Sequence, residues 1–333
     1  MVVIHSYSLA VALCVVTMVC WGSWANTQKM ASRKWAFQLF YWDYALGVLL
    51  LSLVLALTMG SSGPEGRGFV ADLLQADGGS LGSAFLGGVV FNLANLLIVA
   101  AIDLAGMAVA FPVGIGLALV IGVFVNYLAN PQGNPVWLFL GVGLVVLAIA
   151  SDALAYRKHR GKAGGTAGKG LLLAILGGIL MGFFYRFVAA SMATDFATPE
   201  TGALTPYTAS VVFALGLLLS NFLWNTVFMY RPLAGERVTY RAYFRDGSPG
   251  LHGVGLLGGA IWSLGMTFNI IASDVAGPAI SYGLGQGATL VAALWGVFVW
   301  KEFGDARGLR GLLAGMFLLF LTGLGLIIAA RLM

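Results

Sequence analysis

Asp103-Leu-Ala-Gly106-Met-Ala-Val-Ala-Phe111-Pro112-Val-Gly114-Ile-Gly116 is written a second time, 171 positions on, as Asp274-Val-Ala-Gly277-Pro278-Ala-Ile-Ser-Tyr282-Gly283-Leu-Gly285-Gln286-Gly287. The echo runs upstream without a gap, Leu86-Gly87-Gly88 matching Leu257-Gly258-Gly259. Over residues 86–128 roughly 13 of about 43 positions are identical, as an internal duplication gives. Small apolar residues inflate such matches, but an aligned aspartate and aligned glycines are harder to obtain by chance. The repeat therefore divides the chain into residues 1–156, a basic linker over 157–169, and residues 170–333.

The surroundings of the repeat are lipid-soluble. Of 333 residues, 59% are hydrophobic and 9% charged, with a mean hydropathy of +0.91, which excludes an ordinary water-soluble domain. Ten apolar runs of about 20 residues each can cross ~30 Å of hydrocarbon as helices. They cover 7–28, 37–59, 80–102, 106–128 and 136–156, then 170–193, 206–230, 251–273, 278–300 and 309–331. Residues 60–79 read as a Gly/Ser-rich loop. Met1 to Ala25 has no Lys/Arg n-region, so it reads as the first span and not as a leader. The expected fold is an all-α polytopic membrane protein of ten transmembrane helices in a 5+5 inverted repeat.

Orientation is read from charge. Lys29, Arg33, Lys34, then Arg157, Lys158, Arg160, Lys162, Lys169, then Arg231, Arg237, Arg241, Arg245, then Lys301, Arg307 and Arg310 fall in alternate loops. The opposite face has Arg67 and Arg331. By the positive-inside rule the basic loops are cytoplasmic and both termini lie outside, in an inner (plasma) membrane. The basic pI near 9.3 is thus accounted for by membrane loops, without nucleic acid. Five spans per half invert the second copy relative to the first, a layout of secondary transporters in which the halves rock about a shared site.

With ten spans and a duplication in place, the chain resembles the drug/metabolite transporter superfamily. Trp21-Gly22-Ser23-Trp24 followed by Phe40-Tyr41-Trp42-Asp43-Tyr44 looks like the first two spans of the ureide permeases and their bacterial relatives. Phe111-Pro112-Val113-Gly114-Ile115-Gly116 with Asn126-Tyr127-Leu128 is similar to their fourth span. The glucose/ribose porters share the layout more loosely. The resemblance covers essentially the whole chain and implies an uptake carrier for a small polar solute, a sugar or a ureide/oxo-heterocycle, coupled to protons. One stretch departs from the plant members, which carry a long central loop with a nucleotide-binding-like motif. Ala163-Gly-Gly-Thr-Ala-Gly168-Lys169-Gly170 lacks the first Gly and final Ser/Thr of a P-loop, and reads as a flexible linker.

Candidate site residues follow from what a bilayer penalises. Asp43 lies about 9 Å inside span two at 1.5 Å per residue; it is either the proton-binding group or the partner of Lys29, Arg33 or Lys34 at the rim. Arg186, with Tyr185 before it, either clamps a substrate oxygen or snorkels to Asp195 or Glu200. Trp21 and Trp24, with Asn26, offer stacking faces for a sugar or heterocycle, or form an interfacial belt. Asn92, Asn95, Asn221, Asn225, Tyr282 and Gln286 are neutral donors and acceptors suited to a neutral solute, or else interhelical bonds. Pro112 and Gly283-x-Gly285-x-Gly287 should weaken their helices. Asp103 and Asp274 read as helix caps. Cys14 and Cys20 share one span and suggest neither disulfide nor metal, and no cofactor is expected. The competing classes are a metabolite or drug exporter of the same superfamily and a membrane-embedded enzyme; the latter needs an acid pair or metal cluster that the chain does not show.

Overall fold

The computed structural model describes residues 1–32, 35–160, 167–301 and 307–333. Arg33, Lys34, Lys162 and the first half of the P-loop-like stretch, residues 163–166, lie outside them. Ten helices among the described residues are long and apolar enough to cross a membrane. The first span is α1 (Tyr7–Ser23), bent at Trp24 into α2 (Ala25–Ala31). Then come α3 (Phe37–Leu57), a short α4 (Phe69–Gln75), α5 (Gly78–Ala105), α6 (Met107–Ala129) and α7 (Pro135–Arg160). The second half has α8 (Ala167–Ser191), α9 (Pro206–Tyr230), a short α10 (Tyr240–Asp246), α11 (Pro249–Ala276), the pair α12 (Pro278–Gly285) and α13 (Ala288–Leu294), and α14 (Arg310–Ala329). The chain is an all-α polytopic membrane protein.

Three readings need correction. Residues 60–79 contain α4, because Phe69 and Asp72 find buried positions against the bundle. Asp103 and Asp274 cap nothing: each lies in the last turn of α5 or α11, which run a turn further than the hydropathy suggests. The junctions themselves are Gly106 (φ 77°) and Gly277 (φ 85°), left-handed positions that only glycine fills without strain. Span four continues unbroken through Pro112. Span nine does break, at Gln286–Gly287, and ends in a π-helical turn over Trp295–Val299.

Two groups of helices pack alike. Helices α5, α6 and α8 form one triplet, and α11, α12 and α1 form another, α11 and α12 carrying the sequence echo of α5 and α6. Helices α3 and α9 pair with each other, α3 resting on α11 and α9 on α5, while α7 pairs with α14. The closest backbone approaches recur as well. A Cβ on Gly88 of α5 would stand 2.0 Å from the Phe213 carbonyl oxygen of α9, and one on Gly259 of α11 would stand 2.0 Å from that of Tyr44 in α3. No side chain fits at either crossing, so the helices touch backbone to backbone.

One end of the bundle is tied shut. The Arg67 guanidinium donates to Asp72 Oδ1 at 2.9 Å and to the carbonyls of Pro199, Glu200 and Ala203. Asp72, fully buried, also accepts from the Thr205 amide and hydroxyl. Gln75 donates to the Ala203 carbonyl and accepts from the Gly202 amide. The segment after α3 is thereby bound to the segment before α9.

Candidate functional site

The glycine crossings set two helix pairs side by side, and bulky aromatics fill the space beyond the contact. Phe91 of α5, Phe213 of α9 and Trp262 of α11 meet there, Trp262 lying 4.4 Å from Phe91 and stacked 5.7 Å from Phe213. Trp21 also stacks on Trp262, 5.7 Å away and 11° from parallel, its indole N–H donating to the Trp262 carbonyl. Tyr44 lies 6.5 Å from Trp262 and 4.9 Å from Trp24. Five membrane helices thus contribute flat rings to one wall at the junction of the halves.

Below that wall, α5 and α9 carry amides, and α3 tyrosine hydroxyls, on the faces they turn to one another. Asn95 donates to the Tyr41 hydroxyl at 3.1 Å; Asn92 donates to the Leu217 carbonyl and Ser220 hydroxyl; Asn225 donates to the Gln38 carbonyl at 2.8 Å. These bonds use only part of the available polarity. The Tyr44 hydroxyl, Asn92 Oδ1, Asn225 Oδ1 and both side-chain polar atoms of Asn221 are buried without a hydrogen-bond partner. Each such group costs about 1–3 kcal/mol in a protein interior, and the bilayer offers no remedy. A stripe of them along three helices is what a polar solute, or water, satisfies.

A cleft of about 260 Å³ leads toward the stripe from the end opposite the Arg67 tie. Phe37, Gln38, Leu96, Val99, Asp103 and Phe228 line it. It stops a helical turn short of the amides: Phe37 packs on Tyr41 at 5.0 Å, and Asn225 binds the backbone of Gln38. The open volume and the polar stripe are therefore neighbours along α3, α5 and α9, one helical turn of packed residues apart.

Of the residues singled out from sequence, Trp21 and Trp24 join the aromatic wall, and Asn92, Asn95, Asn221 and Asn225 the polar stripe. Others do not. Tyr282 is fully buried in a slot against Gly122, its hydroxyl bound to the Ala118 and Met181 carbonyls, and so is spent on packing. Tyr185 pairs with the Ser281 hydroxyl at 3.0 Å in the same packing layer. Asn26 sits at a helix end, bonded to Ser23 and accepting from the Trp300 indole. Gln286 marks the break in span nine, and its side chain makes no hydrogen bond among the described residues. Arg186 is half-buried and has no partner among them either; Asp195 and Glu200 are taken up in their own turn, with Ala197, Thr198 and Thr194. Missed in the sequence were Trp262, Phe91 and Phe213. The repeat held a signal, since Phe91 and Trp262 occupy equivalent positions 171 apart.

Asp43 does not pair with Lys29 or Arg186. Its carboxylate, 3% exposed, accepts from the Tyr243 hydroxyl at 2.6 Å and lies 3.0 Å from His252 Nδ1. Tyr243, on the short α10, has its phenol pushed upward by burial and by the adjoining carboxylate, so it remains a donor. Among the described residues no group of three His, Cys, Asp or Glu is placed to hold a metal.

Ten membrane-length helices around a polar seam are a permease architecture, and the ureide permease family model matches residues 40–169 and 157–330. The chain belongs to the ureide permease family. It is a multi-pass membrane transporter of small solutes. Ureide permease 1 of Arabidopsis thaliana is 24% identical over 99% of both chains. Probable ureide permease A3 of Vigna unguiculata is 30% identical over 44% of this chain and 40% of its own. A probable glucose uptake protein, GlcU of Priestia megaterium, is 25% identical over 67% of this chain and 70% of its own. A solved crystal structure aligns with a TM-score of 0.61 and 15% identity over 98% of this chain and 99% of that one; at that identity the likeness speaks for the fold alone.

Proposed function

We propose that this permease is a proton-coupled uptake carrier for a small neutral polar solute, a sugar or a ureide/oxo-heterocycle, working by alternating access within an inverted 5+5 repeat. The observation that carries the reading is Asn221, whose amide has no partner for its donors or its acceptor while lying between a cleft and a wall of aromatic rings. An amide left with both functions free suits a solute carrying N–H or O–H beside C=O or ether oxygen. Rings at Trp262, Trp21, Trp24 and Phe213 suit its flat face. No charged side chain lies among these seam residues, which favours a neutral solute. The relatives point the same way, two being named for ureides and one for glucose.

Asp43 supplies a site for the coupling proton. The bundle as it stands is tied at the Arg67 end and open toward the cleft end, and with the basic loops in the cytoplasm this is the inward-facing state. The rocking bodies are then the triplets α5–α6–α8 and α11–α12–α1, each mixing helices of both halves.

Proteoliposomes test the assignment. Radiolabelled allantoin and glucose are offered with an imposed pH gradient, acid outside. Accumulation of either above equilibrium, abolished by a protonophore, is the expected result. Accumulation driven only in the export sense sinks the uptake reading, and saturable movement of neither solute sinks both substrate classes.

A further inference from the structure

Asp43 and His252 stand 209 residues apart in sequence and on opposite halves of the chain, yet they share a pocket. Nδ1 lies 3.1 Å from one carboxylate oxygen and 3.0 Å from the other. A carboxylate only accepts, so Nδ1 is the donor. The side chain of Asp43 is 4% exposed and that of His252 28%, so the histidine is the member that solvent reaches. Glycines make the room: a Cβ on Gly255 would lie 2.5 Å from Asp43 Cβ, and one on Gly247 would lie 2.3 Å from His252 Nε2. Nε2 thus faces the Gly247 turn, between the exposed Asp246 and Ser248, while Nδ1 faces the buried acid. Trp35 meets the imidazole edge-on at 4.7 Å and Tyr243 at 4.8 Å, closing its sides. An imidazole with one nitrogen at the membrane face and the other on a buried carboxylate has the connectivity of a proton relay.

We propose that Asp43 and His252 form a single proton-binding site shared between the halves, loaded from the membrane face through His252, with Tyr243 positioning the carboxylate. This rests on the proton-coupled carrier reading and adds the residue through which the proton passes. Before loading, the proton of the neutral imidazole is on Nδ1 and Asp43 is ionised, a net charge of −1. A proton from solvent water bonds to Nε2; the Nδ1–H bond then breaks as that proton passes to the nearer carboxylate oxygen. The products are a carboxylic acid and a neutral imidazole protonated on Nε2, a net charge of zero. Among the described residues the titratable groups facing Asp43 are Tyr243 from α10 and His252 from α11. Helix α9, packed along α3, presents Met229 and Phe222 to the adjacent Trp42 and brings no charge. Because the pair joins α3 to α11 near the Gly259 crossing, neutralising it removes a charge from the helix pair that must shift in transport.

The chain has three histidines, which allows a direct test on purified protein labelled with ¹⁵N in the imidazole rings. The His252 resonances are identified by their loss in His252→Gln. In the unaltered protein the ring proton of neutral His252 is expected on Nδ1; Asp43→Ala, which removes its acceptor, is expected to move that proton to Nε2, read as an exchange of the two ring-nitrogen shifts. An unchanged tautomer in Asp43→Ala overturns the shared site. In proteoliposomes, His252→Gln is expected to lower the ratio of gradient-driven accumulation to gradient-free counterflow by ~10-fold or more, with allantoin and glucose as probes. A wild-type ratio in that variant also overturns it. If the unaltered protein moves neither solute, the carrier's substrate classes fall, and the ring-nitrogen resonances alone decide the shared site.

Discussion

Asn221 and Tyr282 are both fully buried polar side chains, and the structure gives them opposite fates. Asn221 keeps both polar atoms unpaired, whereas the Tyr282 hydroxyl finds two carbonyls. Replacing Asn221 by the similarly shaped Leu removes two unsatisfied groups and adds apolar surface. The variant is expected to melt a few degrees higher and to lose solute uptake by ~10-fold or more, measured by thermal shift and proteoliposome flux. Tyr282→Phe should do the reverse, lowering stability by about 1 kcal/mol while leaving solute affinity in place. A residue's hydrogen-bonding fate was not legible in the sequence. The i, i+4 spacing of Asn221 and Asn225 predicted a shared face, but nothing local distinguished them from Tyr282, whose partners lie on α6 and α8. His252 was hidden for the same reason: its meaning depends on an aspartate two hundred positions away.

At the level of the helix, apolar run length located all ten spans to within a few residues, because a bilayer leaves little freedom in how long such a run must be. It failed where the bilayer's constraint ends. The short α4 and α10 lie in polar connecting segments and are held by particular contacts, Asp72 to Thr205 in one case and Tyr243 to Asp43 in the other. The crossing glycines give a paired expectation. Gly88→Ala and Gly259→Ala each force two backbones apart and should each cost ~1–3 kcal/mol in denaturant or thermal unfolding, with similar penalties at the two sites. A penalty at one alone would speak against equivalent crossings. The segment between α8 and α9 carries a pH dependence. Asp195 is held below the usual carboxylate range first by the Thr198 hydroxyl and then by the Ala197 amide, and Glu200 by the Thr194 hydroxyl. A depressed acid stabilises at pH values above its unfolded value near ~3.9 and stops doing so as pH falls through the folded one. Protection of the backbone amides in 194–205, taken relative to the intrinsic exchange rate at each pH, should be high at neutral pH and fall below that value, as read by hydrogen–deuterium exchange.

For the molecule as a whole, the tie at Arg67, Asp72, Gln75 and Thr205 has to open if the seam is to face the other side. Loss of the Asp72 charge leaves the half-buried Arg67 without its ion pair. With Cys14 and Cys20 changed to serine and Ser52, 2% exposed beside Ser263, changed to cysteine as a reporter, Asp72→Asn is expected to raise labelling by a membrane-impermeant maleimide several-fold. Unchanged labelling would remove the tie from any gating role. The echo between residues 86–128 and 257–299 was legible in the sequence, but the partition of the helices in space was not. The most extensive packings join α5 and α6 to α8, α7 to α14, α11 to α3 and α5 to α9, so each half is completed by helices of the other. During synthesis the first five spans therefore reach the bilayer before most of their neighbours exist. Phe91 and Asn92 must wait in lipid, or beside a chaperone, for Phe213, Leu217 and Trp262 to be made. A ribosome stalled between the halves would leave a membrane intermediate with its polar stripe bare, and maturation would come late and all at once.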